Sequence, residues 1–391
     1  MKIALVCSCL EPGRDGVGDY SVRLAVELIA RGHRAFVIAE RDFSISTQEP
    51  VHGERENVRV LRLPARASNE SRGRWLAEGL ADFSPDWVVL QFVCWGFADR
   101  GILDPPPVAL LAALSGRRVA IYCHELWLGL KRGASLRHRW WGRRQRVSIL
   151  RFLTMLRPAV VLTSNPAYRE VLHRYDWNAE IVPLFSNVPV HAGAASTLLP
   201  LLHERAGKAL WESRSDVLML AVFGSVYPEW KPEAALRWFQ SEAQRRNRRV
   251  VVVSAGRLSQ KGEAVLASLA RKTDLAVGFV TLGEVSAEAV SGLLQEADLG
   301  LPATEWVLLG KSGVAAAMMA HGLPMLVVRS TESFRDLPGL KVTYAPQVFA
   351  FDAAAPPDFD TIIGARARVG ETLPQIASQF LRALERAPAT V

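Results

Sequence analysis

Residues 2–39 decide the fold, and they read KIALVCSCLEPGRDGVGDYSVRLAVELIARGHRAFVIA. Residues 2–7 form an almost continuous apolar run, which is typical of a parallel strand buried on both faces. A polar, glycine-rich loop follows, and residues 19–30 then repeat apolar side chains at helical spacing. Gly32 stands where a left-handed helix cap is expected, and residues 35–39 form the next apolar run. The stretch therefore predicts a strand, a helix and a second, parallel strand.

The same alternation continues along the chain. The predicted strands are 58–63, 87–92, 118–124, 159–163 and 180–183 in a first series, and 217–223, 249–255, 275–281, 299–301 and 324–328 in a second. Helical stretches separate them, which predicts the α/β class with two doubly wound, Rossmann-like domains. The predicted limits are a first domain over 1–190, a linker over 191–216, a second domain over 217–371, and a C-terminal helix over 372–391 that packs back on the first domain.

The composition is that of a globular protein, with 49% hydrophobic and 22% charged residues, and it excludes disorder as the main state. The four cysteines show no spacing typical of a zinc site or a redox pair, so reduced thiols of a cytoplasmic protein are expected. The first apolar run is too short for a secretion signal, and polar residues interrupt the longer runs, so no membrane span is expected. The net charge of +8 favours phosphate-bearing partners and leaves nucleic acid, anionic lipid and nucleotide-sugar open.

Ligands of open α/β sheets bind at the carboxyl ends of the strands, which draws attention to the first glycine loop. Gly16 and Gly18 lie near the start of the predicted helix, where backbone amides suit an anion. A dinucleotide site is one interpretation, because Glu40 follows the second strand at the spacing of a ribose contact. The loop before Gly16 is too long for that fingerprint, however, and Ser21 occupies its third glycine position. The dinucleotide interpretation is therefore disfavoured.

Motifs in a fixed order run over most of the chain. They are residues 13–20, 32–33, 124–125, 183–187, 223–224 with Lys231, 283–286, 297–298 and 320–324. In this order they resemble the retaining group 1 glycosyltransferases of glycosyltransferase family 4, whose fold is GT-B, two Rossmann-like domains facing one another across a cleft. The resemblance implies a nucleotide-sugar donor held mainly by the second domain and a sugar, lipid-linked or small-molecule acceptor held mainly by the first. It also implies transfer with retention of configuration, no metal ion and no cofactor.

The resemblance places candidate catalytic residues at His124, Glu125 and Asp19. His124 would contact the donor sugar or stabilise the separating charges, its alternative being a structural imidazole. Glu125 would orient His124 or cap the following turn. For Asp19 an acceptor-side base and the N-cap of the first helix both stay open, and the cap is favoured because Asp is a preferred N-cap residue.

The residues predicted to bind the donor follow strands of the second domain or belong to the first glycine loop. The candidate donor-binding residues are Gly16, Gly18, Gly224, Ser225, Lys231, Gly283, Glu284, Val285, Glu305, Lys311, Ser312 and Gly313. Lys231 and Lys311 would offset the charge of a diphosphate. Glu284 would contact the base or ribose, and Glu305 is the acid nearest to where the donor sugar would bind.

Three positions depart from the family pattern. Ser225 replaces an arginine, and Leu309 and Ala317 replace two glutamates eight positions apart. Two alternatives therefore stay open beside a transferase: a catalytically silent GT-B protein that binds a nucleotide-sugar or glycan, and a sugar-nucleotide epimerase. Nucleic-acid binding is not expected, because no recognised module is present.

The segment 131–157 is basic throughout and contains no acidic residue, with Trp140 and Trp141 among its arginines. One interpretation is a helix that lies on an anionic bilayer and brings the protein to a lipid-linked acceptor at the inner face of the membrane. The other is a solvated helix whose apolar residues face the core of the first domain.

Overall fold

The computed structural model describes residues 1–207, 214–331, 333–370 and 372–387, which form two compact α/β units. The described residues 1–187, 333–340 and 373–387 form the first unit, and 188–207, 214–331, 341–370 and 372 form the second. Residues 208–213 of the predicted linker and 388–391 of the predicted C-terminal segment lie outside the described residues. The predicted fold class, two Rossmann-like α/β domains, is confirmed.

The first unit, as far as the structure describes it, is built on an eight-stranded sheet. Its strands are β1 (Lys2–Cys7), β2 (Arg34–Asp42), β3 (Val51–Arg55), β4 (Val58–Pro64), β5 (Trp87–Phe92), β6 (Val119–Cys123), β7 (Val160–Thr163) and β8 (Ala179–Ile181). They lie in the order β3-β4-β2-β1-β5-β6-β7-β8, and β3 is antiparallel to β4 while the other pairs are parallel. Central strands such as β5 are buried along their whole length, which explains their apolar runs.

Helices cover both faces of this sheet. They are α1 (Gly16–Ala30), α2 (Asn69–Phe83), α3 (Cys94–Phe97), α4 (Val108–Leu114), α5 (Leu136–Leu156), α6 (Pro166–His173) and the C-terminal helix α13 (Leu373–Arg386). Apolar residues of α13, among them Phe380 and Leu384, share one core with Leu24 and Leu28 of α1. Arg31 at the end of α1 also donates hydrogen bonds to Ser378 Oγ, at 2.7 Å, and to the carbonyl of Pro374. The last described helix is therefore part of the first unit.

The second unit has a six-stranded, all-parallel sheet among its described residues. Its strands are β9 (Val217–Phe223), β10 (Arg249–Ala255), β11 (Val277–Gly283), β12 (Leu299–Gly300), β13 (Met325–Val327) and β14 (Val348–Ala350), in the order β11-β10-β9-β12-β13-β14. Its helices are α7 (Ala195–Ala206), α8 (Glu233–Gln244), α9 (Gln260–Ala270), α10 (Ala287–Glu296), α11 (Gly313–Ala320) and α12 (Phe359–Gly364). Helix α7, from the predicted linker, packs on α10, where Gly292 lets the carbonyl of Ala194 approach.

Each sheet reverses its winding beside its first strand. In the first unit the chain builds outward from β1 through β2 and then returns to place β5 on the other side of β1. In the second unit β10 and β11 lie on one side of β9, while β12 and β13 lie on the other. The carboxyl ends of β1 and β5, and those of β9 and β12, are therefore the positions at which doubly wound sheets bind ligands.

The start of α1 corrects the sequence analysis. The helix begins at Gly16, not at residue 19, and its N-cap is Asp15, whose carboxylate accepts a hydrogen bond from the Gly18 amide at 2.6 Å. The N-cap interpretation of Asp19 is therefore wrong. Asp15 has the extended backbone of an N-cap residue, and from there its carboxylate reaches the Gly18 amide. Asp19 lies inside the first turn of the helix.

Gly18 allows α1 to meet the end of β1. A Cβ atom at this position would lie 2.4 Å from the carbonyl oxygen of Cys9, whereas one at Gly16 would have no atom within 4 Å. We predict that Gly18→Ala destabilises the first unit by about 1–3 kcal/mol, because the backbone must shift to relieve the overlap. Gly16→Ala, the matched control, should instead be neutral or stabilising by up to about 1 kcal/mol, since it removes glycine's freedom in the unfolded chain.

Thermal unfolding of the wild type and the two variants measures the difference. Equal melting temperatures for Gly18→Ala and Gly16→Ala would show that α1 does not depend on this close approach.

Candidate functional site

Three neighbouring strands of the second unit end at glycines with left-handed backbones. Gly224 follows β9 with φ 74°, Gly256 follows β10 with φ 105°, and Gly283 ends β11 with φ 73°. The amide of Gly224 donates to the carbonyl of Ala255 at 3.0 Å, and that of Gly256 to the carbonyl of Gly283 at 2.8 Å. We call Gly224, Gly256 and Gly283 the glycine row. The room beside Gly224 is taken by Val314, whereas a Cβ atom at Gly283 would have no atom within 4 Å, so a ligand can approach the backbone there closely.

The amino end of α11 lies beside the glycine row. A Cβ atom at Gly224 would be 2.9 Å from Cγ2 of Val314, in the first turn of α11. Ser312 is the N-cap, with its hydroxyl accepting from the Ala315 amide at 3.3 Å, and Thr304 Oγ1 lies 3.1 Å from that hydroxyl. Amides at a helix start, with the positive end of the helix dipole, favour an anionic ligand here.

The structure brings some of the predicted donor-binding residues together at this place. Lys311 ends a 3-10 turn immediately before Ser312, and Gly313 is the first residue of α11. Ser225 and Lys231 are exposed on the loop between β9 and α8. Lys311 and Gly313 thus lie at the amino end of α11 beside Gly224, and Ser225 and Lys231 lie on the loop that follows Gly224.

The acidic candidates of the second unit are held by arginines that the sequence analysis did not single out. Glu284 is exposed after β11, beside the half-buried Val285, and pairs with Arg257 at 2.7 Å. Glu305 is only 4% exposed, and its carboxylate lies 2.8 Å from Arg329. Both arginines follow strands of the sheet, β10 and β13, and that position is the signal that would have identified them.

The first glycine loop is already occupied by its own carboxylates. Asp15 accepts from the Gly18 amide, while Asp19 accepts from the Gly13 amide at 3.0 Å and pairs with Arg55 at 2.6 Å. A diphosphate would have to displace one carboxylate and lie beside the other. Since the amides of Gly13 and Gly18 already donate to carboxylates, the loop suits an uncharged, hydroxyl-bearing ligand better than an anion.

His124 lies at the carboxyl end of β6 but faces the interior, with 6% of its surface exposed. Its Nε2 donates to Gln91 Oε1 at 2.8 Å, and its ring stacks on Tyr122 and meets the edge of Tyr20. Burial lowers the pKa of His124 to about 3, because the charged form loses its hydration. The imidazole is therefore neutral at physiological pH and cannot serve there as a proton donor of the imidazolium type.

Glu125, a predicted catalytic residue, and Glu40, the ribose contact of the dinucleotide interpretation, also lie in the first unit. Glu125 is half-buried immediately after His124, on the loop that leads towards α5. Glu40, the proposed ribose contact of a dinucleotide, is 6% exposed and pairs with Arg72 at 3.2 Å inside the unit. A buried carboxylate already paired with an arginine is poorly placed to bind a ribose, which argues further against the dinucleotide interpretation.

Helix α5 contains most of the basic segment, and it has two distinct faces. Gly142, Gln145, Ile149, Phe152 and Leu153 are buried against the unit. The exposed side carries a stripe at helical spacing, called here the α5 stripe: Leu136, Trp140, Arg143, Arg144, Val147, Arg151 and Met155. The apolar residues of α5 are thus divided between the core and the solvent, and contact with a bilayer stays a prediction.

Across the residues that the structure describes, no helix is both long enough and apolar enough to cross a membrane. In the same part of the chain, no three His, Cys, Asp or Glu side chains are grouped as ligands for a metal ion. The four cysteines are buried, and none of them is in a disulfide bond.

Comparison with known proteins identifies the fold. No family model and no curated protein sequence matches the chain. Among solved structures, the chain is similar to the catalytic domain of starch synthase IV from Arabidopsis thaliana bound to ADP and acarbose, with 13% identity, a TM-score of 0.56 and 99% of each chain covered. It is also similar to WaaG, a glycosyltransferase involved in lipopolysaccharide biosynthesis, with 14% identity, a TM-score of 0.51, and coverage of 99% of this chain and 91% of that one.

A putative UDP-N-acetylglucosamine 2-epimerase from Listeria monocytogenes is similar as well, with 11% identity, a TM-score of 0.52, and coverage of 100% of this chain and 99% of that one. These likenesses over the whole chain confirm the predicted GT-B fold. Glycosyltransferases and an epimerase both have it, so the activity has to be argued from the residues.

The burial of the His124 imidazole leads to a testable prediction about how the free energy of unfolding depends on pH. The unfolded chain binds a proton at His124 below about pH 6.5, while the folded chain does so only near pH 3. The contribution of His124 to the free energy of unfolding is therefore complete above pH 6.5 and is lost as the pH falls towards 3. At pH 5 the free energy of unfolding is lower by about 2 kcal/mol for this reason. His124→Asn should lack this part of the pH dependence.

Denaturant unfolding of wild type and variant at pH 7.5 and pH 5 tests this expectation. His138→Asn, which removes an exposed imidazole on α5, is the control and should keep the wild-type dependence. A wild-type dependence that persists in His124→Asn would contradict the neutral, buried state.

Proposed function

We propose that the protein is a glycosyltransferase of the family 4 type, which transfers a sugar from a nucleotide-sugar with retention of configuration. The glycine row beside the amino end of α11 is the observation that carries the proposal. The ordered motifs support the family assignment and, through it, retention. The similar starch synthase was solved with ADP, so a nucleoside diphosphate is bound by at least one protein of this fold.

In this proposal the second unit binds the donor through its diphosphate. Gly224 lets the start of α11 lie against the end of β9, and the amides there, with the ammonium groups of Lys231 and Lys311, would offset the charge of the phosphates. Charge developing on the leaving diphosphate would be stabilised by the same groups, which is how they would promote the reaction. Metal-independent transfer is part of the proposal, since these side chains supply the positive charge.

The first unit would bind the acceptor near the carboxyl ends of β1, β5 and β6. Asp19 and Glu125 are the carboxylates there that are proposed to assist the acceptor hydroxyl. Neutral His124, held by Gln91, is proposed to act as a hydrogen-bonding and packing group and not as an acid. Gly16 and Gly18 are left out of the donor site, because the amide of Gly18 is already bonded to Asp15.

We predict that UDP, GDP or ADP raises the melting temperature of the protein in the presence of EDTA, because a ligand bound only by the folded state stabilises it. Lys231→Ala and Lys311→Ala should each weaken nucleotide binding about tenfold, the value of one charge-assisted hydrogen bond. Calorimetric titration of the nucleotide that gives the largest thermal shift measures the effect.

Arg245→Ala is the matched control, since it removes one positive charge at the opposite edge of the same sheet, shortly before β10. It should bind the nucleotide as the wild type does. Nucleotide binding that requires added magnesium or manganese would contradict the metal-independent site, and wild-type affinity in both lysine variants would remove these residues from it.

Incubation of the protein with nucleotide-sugars and no acceptor separates the alternatives. Slow release of free sugar is expected of a transferase, whereas a new nucleotide-sugar with inverted configuration at one sugar carbon would identify an epimerase. Nucleotide binding with neither product, and no transfer to any acceptor, would identify a silent binding protein.

We further propose that the α5 stripe binds an anionic membrane surface at the inner face of the membrane and so serves a lipid-linked acceptor. Large apolar side chains, with Trp140 54% exposed, alternate there with arginines. Helix α5 contains no acidic residue to neutralise these charges. Arginines near an anionic leaflet contribute about 1 kcal/mol each, and an inserted tryptophan adds a part that salt does not screen.

We predict that the protein cosediments with anionic but not with neutral vesicles, and that added salt weakens the association. The double reversal Arg143→Glu with Arg144→Glu should abolish cosedimentation, because it replaces attraction by repulsion. Arg382→Glu with Arg386→Glu on α13 is the control, since it makes the same change of net charge on another exposed helix of this unit. Equal pelleting of both double variants would contradict a specific role of α5.

A further inference from the structure

Two aromatic rings of the first unit lie exposed beside the strand at which its sheet reverses. Phe43, just after β2, is 61% exposed, and Trp95, just after β5, is 41% exposed. In the sheet, β2 and β5 are the two neighbours of β1. Single exposed apolar residues are common on protein surfaces, but two aromatic rings that flank the ligand-binding edge of a sheet mark a contact surface.

The backbone ties both rings to the end of β1. Ser8 follows β1, and its carbonyl accepts a hydrogen bond from the Arg41 amide at 2.9 Å, two residues before Phe43. On the other side, Gly96 packs directly on Ser8, since a Cβ atom there would lie 2.3 Å from the Ser8 hydroxyl oxygen. The loop after β2 and helix α3 are therefore both held against the same residue.

An ion pair connects the two aromatic segments. The guanidinium of Arg41 lies over the ring of Phe43, 4.9 Å from its centroid, and donates to Asp99 at 2.6 Å. Asp99 follows α3, and its side chain is 87% exposed, whereas that of Arg41 is 15% exposed. The hydrogen bond from Arg41 also lowers the pKa of the Asp99 carboxyl, so that this group stays ionised at physiological pH. We call Phe43, Trp95, Arg41 and Asp99 together the aromatic platform.

We propose that the aromatic platform binds a saccharide unit of the acceptor, an inference that rests on the proposed glycosyltransferase function. A sugar ring has an apolar C–H face that makes dispersion contacts with an aromatic ring, and hydroxyl groups at its rim that need hydrogen-bond partners. The rings of Trp95 and Phe43 can contact the C–H face of the sugar. The carboxylate of Asp99 can accept hydrogen bonds from the sugar hydroxyls, and the guanidinium of Arg41 can donate to them. A few polar groups among aromatic side chains is also the common composition of small-molecule sites.

The charge of the platform favours this ligand over an anionic one. Arg41 and Asp99 neutralise each other, so the platform carries no net charge. The α5 stripe, by contrast, carries three arginines and no acidic residue. An anionic lipid headgroup would gain little from a pair without net charge, while the hydroxyls of a neutral sugar can bind to both its carboxylate and its guanidinium.

Direct binding of simple sugars tests the inference without any donor. The probes are the methyl glycosides of glucose, galactose, mannose, rhamnose and N-acetylglucosamine, each observed by saturation-transfer NMR with the full-length protein. We expect at least one glycoside to receive saturation, strongest at the protons of one ring face. Trp95→Ala and Phe43→Ala should each weaken its binding about tenfold, the loss expected for one well-packed aromatic contact. Asp99→Asn should weaken it as well, by removing an ionised hydrogen-bond acceptor.

Trp140→Ala is the matched control, because it removes another exposed tryptophan, from α5. It should leave glycoside binding unchanged. Absence of saturation transfer from every glycoside, or transfer that survives both Trp95→Ala and Phe43→Ala, would overturn the inference.

Donor hydrolysis in the absence of acceptor keeps this inference separate from the proposed function. Trp95→Ala should release sugar from the nucleotide-sugar at the wild-type rate, since the platform does not bind the donor, while its KM for an acceptor glycoside rises. A wild type that binds the glycosides but neither hydrolyses nor transfers would refute the proposed function and leave the platform standing. A wild type that hydrolyses the donor without platform-dependent glycoside binding would refute the platform alone.

Discussion

The close approach of a helix to the end of the first strand is the constraint on which each candidate site depends. In the first unit, Gly18 brings α1 against the carbonyl of Cys9, and in the second, Gly224 brings α11 against the end of β9. A β-carbon at Gly18 would overlap the backbone of Cys9, so α1 would have to move away, and one at Gly224 would overlap the side chain of Val314. Both glycines lie where the sheet reverses its winding. One backbone requirement therefore shapes the two places at which ligands of this fold class bind.

The surroundings of Gly18 and Gly224 differ chemically, although both glycines allow a helix to lie close to the end of a strand. In the second unit, Lys311 and the amino end of α11 lie beside Gly224, and the acids Glu284 and Glu305 are held by arginines. In the first unit, Asp15 and Asp19 bind the amides of the loop instead. The first arrangement favours an anion, whereas in the second the amides are already bonded to carboxylates. The proposed division between a donor unit and an acceptor unit rests on this difference.

Sequence patterns predicted the fold because burial on both faces leaves a clear apolar signal. Strands such as β5 and β9 were predicted to the residue, while the short edge strands β3 and β14 were missed, since half-exposed residues leave no continuous apolar run. Site residues were harder to predict. The sequence shows that His124 follows a strand, but only the packing of Tyr20 and Tyr122 around its ring shows that it is buried and neutral. Pairing across the fold, as between Glu305 and Arg329, leaves no local signal either.

The pairing of Glu305 with Arg329 also bears on how the donor sugar would be recognised. The family's two glutamates are absent, and the acid nearest to their position is buried and neutralised. A sugar bound here would find few carboxylate acceptors for its hydroxyls, whereas its diphosphate would find a helix amino end and two lysines. Binding energy for the donor would then come mainly from the nucleotide, and discrimination between donor sugars would have to come from the shape of the site. The acceptor sugar is a separate ligand, and the aromatic rings proposed for it in the first unit would give it contacts that the donor sugar does not have in the second.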